Sequence, residues 1–545
     1  MFRSLHTTRR GARWLALALF ILLAVLHTWP LASAPGRLGR NAQADTLLNA
    51  WVMAWVAHDI VLDPLHLFDA PIFYPERHTL AFSEHLIVQA LMGAPLRWAG
   101  GSPIFVYNIV FIAGLALTGW AMAVVVQIWT GSWVAGVLGG CLMAFNALTL
   151  TRFPHIQLQH VEFLPFALLA LDRLLSTPRF KYALQLAAAF VLQSLTSMYF
   201  LLFTSIALVV SALARPGDWV GPRARKVLPL ALLAAVMAGI ALLPFLIPYL
   251  RARQEQTMFV RRIDEVAKYS ATWANYLATG GTFHIRTWSA RFWMAGRGDG
   301  LFPGVIGLAL TLVAIVSGIA FSDKRARMAL VFGVVCLALS FGPAFPLYKT
   351  LYDLYPPMAA VRSAVRWGHM VLAAVAILAG FGLVVLQRKL PKAWAVPVGL
   401  TLVLVANLEA LRAPIDYGVD QDFRGVPKIF ETLNTPNPDV VVIFPFYRPE
   451  QLHMNARYMM VATAFWKPMV NGYSGYMPVR YFEHTANLEG FPDERSIQYL
   501  QRLGVTRVLV DSRNMPARVL DRLPQVSELS MIDTDGNLKI FALKP

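Results

Sequence analysis

The sequence predicts an all-α polytopic membrane protein of about eleven transmembrane helices, with a small α/β domain at its C-terminal end outside the membrane. Three observations predict this. Of 545 residues, 57% are hydrophobic and only 14% charged, whereas a soluble chain carries roughly 25% charged residues. The apolar residues gather into runs close to the ~20 residues that a helix needs to cross a bilayer. Beyond about residue 412 the runs give way to short strand-like stretches separated by polar helical ones.

The basic N-terminus, MFRSLHTTRRGAR, leads into WLALALFILLAVLHTWPLASA, read as an uncleaved first span. The alternative, a signal cleaved at Ala32-Ser33-Ala34, gives the same topology. Both place Arg9, Arg10 and Arg13 in the cytoplasm and the next segment outside. Further apolar runs lie at about 103–128, 132–150, 158–174, 180–195, 199–213, 228–250, 301–321, 327–346, 367–387 and 393–411. If each spans, the short basic loops DRLLSTPRFK, ARPGDWVGPRARK, SDKRAR and QRKLPK share the side of the N-terminus, as the positive-inside bias requires. HLIVQALMGAPLRW (85–98) is shorter, and a span there would invert all four loops, so it is read as interfacial or re-entrant. The outer segments are then 35–102, 151–163, 251–300, 347–366 and the tail.

Two domains follow: a transmembrane domain over 1–411, including the first outer loop 35–102, and an extracytoplasmic α/β domain over 412–545. The expected strands of the latter are VVVIF (440–444), RVLVD (507–511) and KIFAL (539–543). Helical stretches are expected at GVPKIFETL and at ERSIQYLQRLG, the second ended by Gly504. The expected location is the cytoplasmic (inner) membrane.

Composition excludes several functions. The net charge of +17 sits largely in short loops, where it sets orientation, and no basic face with interleaved aromatics marks a nucleic-acid partner. Cys141 and Cys336 lie inside apolar runs, so no disulfide framework is implied. No Walker loop, dinucleotide fingerprint, nucleophile elbow or zinc spacing is found, and no cofactor is expected. The spans are almost bare of ionisable groups, with Glu162, Asp172 and Glu409 near predicted helix ends, which argues against a proton-coupled transporter.

The acids, histidines and arginines collect on the outer face instead. Asp45 precedes LLNAWVMAW, in which Leu48, Trp51, Val52 and Trp55 recur at helical spacing. That pattern reads as a helix in the membrane interface with its tryptophans at headgroup level, holding Asp45 within reach of a lipid headgroup. Asp45 also suits a helix N-cap. Glu84 and His85 in FYPERHTLAFSEH are candidate substrate contacts, as are His155 and His160 at the mouth of a span. The spacing of those two histidines does not match a helical metal pair. Arg362 and Arg366 in AVRSAVRW stand four apart, so an α-helix would stack them on one face, suited to a phosphate. Arg261 and Arg262 are weaker candidates for the same role.

These features resemble the membrane glycosyltransferases of the C-type fold (GT-C) and, within them, a group of bacterial proteins related to the YfhO-like family. The resemblance is carried by Asp45 and the NAQADTLLNAW and FYPERHTLAFSEH segments, by PHIQLQHVEFLPFALLALDRLL, by AVRSAVRW and by WKPMVNGYSGYMP. It implies transfer of a sugar from a polyprenyl-phosphate carrier to a glycan, lipid or protein acceptor outside the membrane. It also implies membrane lipids as partners and Asp45 as the acid of the first outer loop. Ala44 and Thr46 flank that acid, so there is no D-x-D and no metal is indicated. Asp45 would act as base for the acceptor hydroxyl, and Arg362 and Arg366 would stabilise the departing phosphate. NGYSGYM, with Tyr473 and Tyr476, is a loop able to offer aromatic faces to an acceptor glycan. A lipid or glycolipid transporter, or a non-catalytic assembly protein, is the alternative.

Overall fold

The computed structural model describes residues 2–39, 43–256, 262–295, 298–419 and 428–545. Asn41, Ala42, Arg261 and Gly425 to Pro427, which entered the reading above, lie outside the described residues. Each apolar run coincides with a helix: α1 (Phe2–His27), then, after α2 (Ala44–Leu62) and α3 (Ile87–Trp98), α4 (Pro103–Thr130), α5 (Trp133–Ala144), α6 (Phe163–Ser176), α7 (Phe180–Thr196), α8 (Met198–Leu213), α9 (Ala224–Gln256), α10 (Val305–Val316), α11 (Lys324–Ser340), α12 (Gly368–Lys389) and α13 (Lys392–Ala410). Among the described residues, α4, α9, α12 and α13 are long and apolar enough to cross a membrane, and the chain is a multi-pass membrane protein. Helices α5 and α10 have 12 residues each, about 18 Å of helix against the ~30 Å of a hydrocarbon core. The runs and the helices thus agree in position but not always in length.

Two compact units result. One takes Met1–Ser33, Ile109–Pro244 and Phe259–Asp416; the other takes Ala34–Asn108, Phe245–Met258 and Tyr417–Pro545. The tail therefore shares a unit with the first outer segment.

In that unit the short strands β1 (Leu38–Gly39) and β2 (Gly418–Val419) pair antiparallel. A mixed sheet follows, β3 (Val441–Phe444), β4 (Arg507–Asp511), β5 (Leu529–Asp535) and β6 (Leu538–Leu543), in the order β3-β4-β6-β5. The β3/β4 pair is parallel and the rest antiparallel. Three of these strands were expected and β5 was not. Only Leu529 of β5 is buried, so β5 lacks the apolar run that marks the others. Its turn, Gly536-Asn537 with Gly536 at φ +57°, is nonetheless a hairpin signal in the sequence. The segment 71–74 is tied to the tail by main-chain bonds from Tyr74 N to Met469 O (2.8 Å), Met469 N to Pro71 O and Phe73 N to Asn471 O (3.1 Å each).

In the other unit, α12 is the buried centre, touching α5, α10, α11 and α13. Small residues permit this closeness: a Cβ at Gly382 would collide with the Leu310 carbonyl. The three acids expected near helix ends are there, and each carboxylate is satisfied. Glu162 Oε1 meets His160 Nδ1 at 3.0 Å. Glu409 accepts the Val305 and Ile306 N–H groups at 2.8 and 3.2 Å and so caps α10, with His284 Nε2 also at 3.2 Å. Gly304, at φ +86°, leaves room for that carboxylate; a Cβ would stand 2.7 Å from Oε1. Asp172 accepts from Arg215 (2.5 Å), Arg325 (3.0 Å) and Trp129 Nε1 (3.1 Å). Arg215 also bonds Asp218, which Lys324 and Arg223 reach as well. Three of the four basic loops thus meet in one ionic cluster, which places them at one end of the helices, as their charge implied.

The Arg215 guanidinium is fully buried, whereas that of Arg325 is 38% exposed. Arg215→Met would leave Asp172 and Asp218 with less compensation in a closed site, a loss of roughly 3–5 kcal/mol. Thermal unfolding of the detergent-purified protein should show a clearly lower midpoint for Arg215→Met and a smaller change for Arg325→Met. Equal midpoints for the two variants would refute this weighting.

Candidate functional site

The N-cap of α2 is Gln43 and not Asp45. Asp45 is instead the second helical residue, in the first turn, where unsatisfied N–H groups and the positive end of the helix dipole favour an anion. Its Oδ1 accepts a 2.7 Å hydrogen bond from the hydroxyl of Tyr473, 428 residues away. The loop that carries Tyr473 is anchored through the two residues that precede it. Asn471 receives the Ile443 N–H at its Oδ1 (2.7 Å) and donates from Nδ2 to the Ile443 carbonyl (2.9 Å), copying a strand on the edge of β3. Gly472 faces the Phe73 ring so closely that a Cβ would stand 2.8 Å from it. Tyr107 and Tyr417 are also near, since Asp45 and Tyr417 both act electrostatically on the buried Tyr107 hydroxyl.

The tryptophan face of α2 departs from expectation. Trp51 and Trp55 are 1% and 7% exposed, and Trp466 of the tail lies against them at ring separations of 6.1 and 5.4 Å, stacking on His58 at 5.0 Å. The Trp55 Nε1 donates to the Leu67 carbonyl at 2.9 Å. The helical spacing is correct, but protein and not the headgroup layer covers that face. Glu84 and His85 are buried as well. The His85 Nδ1 accepts the N–H of Ile87 at the start of α3 (3.2 Å), among the rings of Phe68, Phe245 and Tyr249. Burial lowers the His85 pKa to about 3, so the ring is neutral at physiological pH. A cavity of about 770 Å³ lies in the same unit, lined on one side by Leu47 of α2 and on others by residues of the tail.

The remaining candidates belong to the other unit. Val361 to Ser363 are not helical, and Ala364–Trp367 is a 3-10 turn, so Arg362 and Arg366 do not stack on an α-helical face as their spacing suggested. Each lies over a different tyrosine: Arg362 4.5 Å from the centre of Tyr269, Arg366 4.5 Å from that of Tyr199. Arg362 also donates to the Tyr269 hydroxyl (2.8 Å) and pairs with Glu265 (3.0 Å). His155 has its pKa held well below the ordinary value, first by burial and then by Arg366 and Arg152. It is therefore a neutral neighbour of the arginines. His160 is fully buried, with Nδ1 at Glu162 and Nε2 3.1 Å from the Val110 carbonyl. Both its nitrogens are occupied, so a substrate contact there would have to displace a protein partner.

These elements define a class, the GT-C membrane fold, and the chain has that fold. It is similar over 98% of its length to the arabinofuranosyltransferase AftD from Mycobacteria (TM-score 0.61, 13% identity), of which it spans 40%. The oligosaccharyltransferase AglB from Archaeoglobus fulgidus, solved with an inhibitory peptide and a dolichol-phosphate, is matched over 93% of this chain and 70% of that one (TM-score 0.52, 12% identity). ArnT from Cupriavidus metallidurans, solved with undecaprenyl phosphate, is matched over 98% of both chains (TM-score 0.50, 13% identity). No family model and no curated protein matches the sequence, so the fold is placed without assignment to a smaller group such as the YfhO-like proteins.

Tyr473→Phe removes the donor to Asp45 while keeping the ring. A hydrogen bond of this kind contributes about 0.5–1.5 kcal/mol, so amide hydrogen exchange over 471–476 should speed up by a few-fold to about tenfold. Unchanged exchange there would show that the bond does not hold the loop.

Proposed function

We propose that this protein is a membrane glycosyltransferase that moves a sugar from a polyprenyl-phosphate carrier to an acceptor on the extracytoplasmic face of the membrane. The observation that carries this reading is Asp45 itself: an acid in the first turn of α2, oriented by a tyrosine hydroxyl at 2.7 Å, in a chain with the GT-C fold. Displacing a lipid phosphate from an anomeric carbon needs a base for the acceptor hydroxyl and cations for the leaving group. Asp45 takes the proton. Tyr473 fixes the carboxylate through Oδ1. Arg362 and Arg366, pre-oriented on Tyr269 and Tyr199, stabilise the phosphate, with Arg366 acting electrostatically on a neutral His155. His85 holds the start of α3, and Glu84 is buried beside it in the unit that carries Asp45. The lipid carrier supplies the activated sugar, so no nucleotide site is required.

General-base assistance is worth roughly 10²–10⁴-fold. Asp45→Asn should lower transfer from a radiolabelled polyprenyl-phosphate sugar by at least that range, with unchanged membrane insertion and elution. Near-normal turnover by the variant would remove Asp45 from the chemistry. Arg362→Ala and Arg366→Ala should each weaken donor binding much more than acceptor binding, as read by separate titrations. Wild-type donor affinity in both would remove the arginines from the phosphate site.

A further inference from the structure

The cavity of about 770 Å³ is not used by the mechanism above, and it lies on one face of the tail's sheet. We propose that it is a saccharide site and that it takes a short, uncharged saccharide as the acceptor of transfer. This rests on the glycosyl-transfer reading of the same unit.

Its place follows from the strands. Successive side chains of a strand point to opposite faces: Val442, Phe444, Val508 and Val510 pack into the core on one side, and Ile443, Leu509 and Asp511 line the cavity on the other. Both parallel strands end at it. Tyr447 follows the end of β3, and Arg513 and Asn514 follow the end of β4, the edge at which α/β sheets present their ligand-binding loops. Leu47, two residues beyond Asp45 on α2, forms part of another wall, so an occupant lies beside the helix that presents the acid. The volume falls within the ~300–1,000 Å³ of sites that enclose small ligands.

The lining addresses hydroxyls and not a charge. Asp511, its side chain 3% exposed, receives Arg513 Nε and Nη2 at 2.9 and 2.8 Å, so the two neutralise each other. Arg457 and Asp535 are both exposed and opposite in sign, and solvent and salt screen them alike. Arg97, the remaining ion of the lining, is held by a 3.0 Å bond from Nη1 to the Gly101 carbonyl. The walls therefore carry no cluster of one sign. What they offer is planar polar groups: the Asp511–Arg513 pair, the Asn514 amide 3.5 Å from Asp511 Oδ2, and the Asn537 amide. A carboxylate and a guanidinium locked together present acceptors and donors at fixed spacing, which suits the adjacent hydroxyls of a pyranose. Tyr447 and Tyr458, stacked at 5.8 Å and 22°, add ring surface for its C–H faces.

The test is calorimetric titration of the full-length protein in nanodiscs with the neutral trisaccharides cellotriose, maltotriose and mannotriose, and with a glucuronate trimer, a glucosamine trimer and triserine. At least one neutral trisaccharide should bind, at least fivefold more tightly than the acidic trimer, the basic trimer and the peptide. Asn514→Ala, at an exposed position, and Tyr447→Leu should each weaken it at least fivefold. No binding of any neutral trisaccharide, equal or tighter binding of a charged trimer or of the peptide, or wild-type affinity in both variants would overturn the proposal. Sugar release from the lipid-linked donor into water, measured on the same samples, separates the two readings. Release without saccharide binding overturns the subsite alone. Saccharide binding without release overturns the transferase reading and, with it, the subsite's role as acceptor site.

Discussion

The main-chain pairing of 71–74 with 469–471 is the constraint on which the unit carrying Asp45 depends. It fixes Phe73 against Gly472, and that contact sets the course of the loop that brings Tyr473 to Asp45. The first outer segment packs its buried residues in one unit with the tail. The sheet supplies one wall: Tyr74 packs on the cluster formed by Val442, Phe444 and Val508, and Trp466 closes the aromatic face of α2. An acid is thus held in place by a domain that is remote in sequence but continuous with it in hydrogen bonding.

Much of the fold was legible because hydropathy acts locally. A run of apolar residues forms a helix whatever its neighbours do, and all the predicted runs did so. The strands 440–444, 507–511 and 539–543 were legible for the same reason, since each is buried along most of its length. β5 was not, because an edge strand with one buried residue has a polar sequence. The site was legible only in part. Asp45 could be singled out from its place before an aromatic helix, but its hydrogen-bond partner could not, because no local pattern links residues 428 apart. Trp51 and Trp55 show the limit of periodicity. Spacing reveals that a face is buried, and cannot say whether protein or lipid buries it. Arg362 shows a second limit: spacing of four places two side chains together only if the backbone is helical.

Ionisable groups in the helical unit obey a different rule. Glu162, Asp172 and Glu409 each sit at a helix end with cations, imidazoles or amide donors already in place. A carboxylate in such surroundings is costly unless fully partnered. The Asp172 cluster gathers residues from three separate loops, so the same arrangement that makes the acid tolerable also fastens those loops to one another.

The tail's part in completing the first outer segment bears on how the molecule is made. A ribosome adding about 5–20 residues per second needs roughly 20–90 s to travel from Asp45 to Tyr473. Throughout that interval α2 has emerged without Trp466 to cover its tryptophans. The nascent chain therefore carries an exposed aromatic helix for most of its synthesis, and whatever shields that helix, bilayer or chaperone, must release it when the sheet arrives.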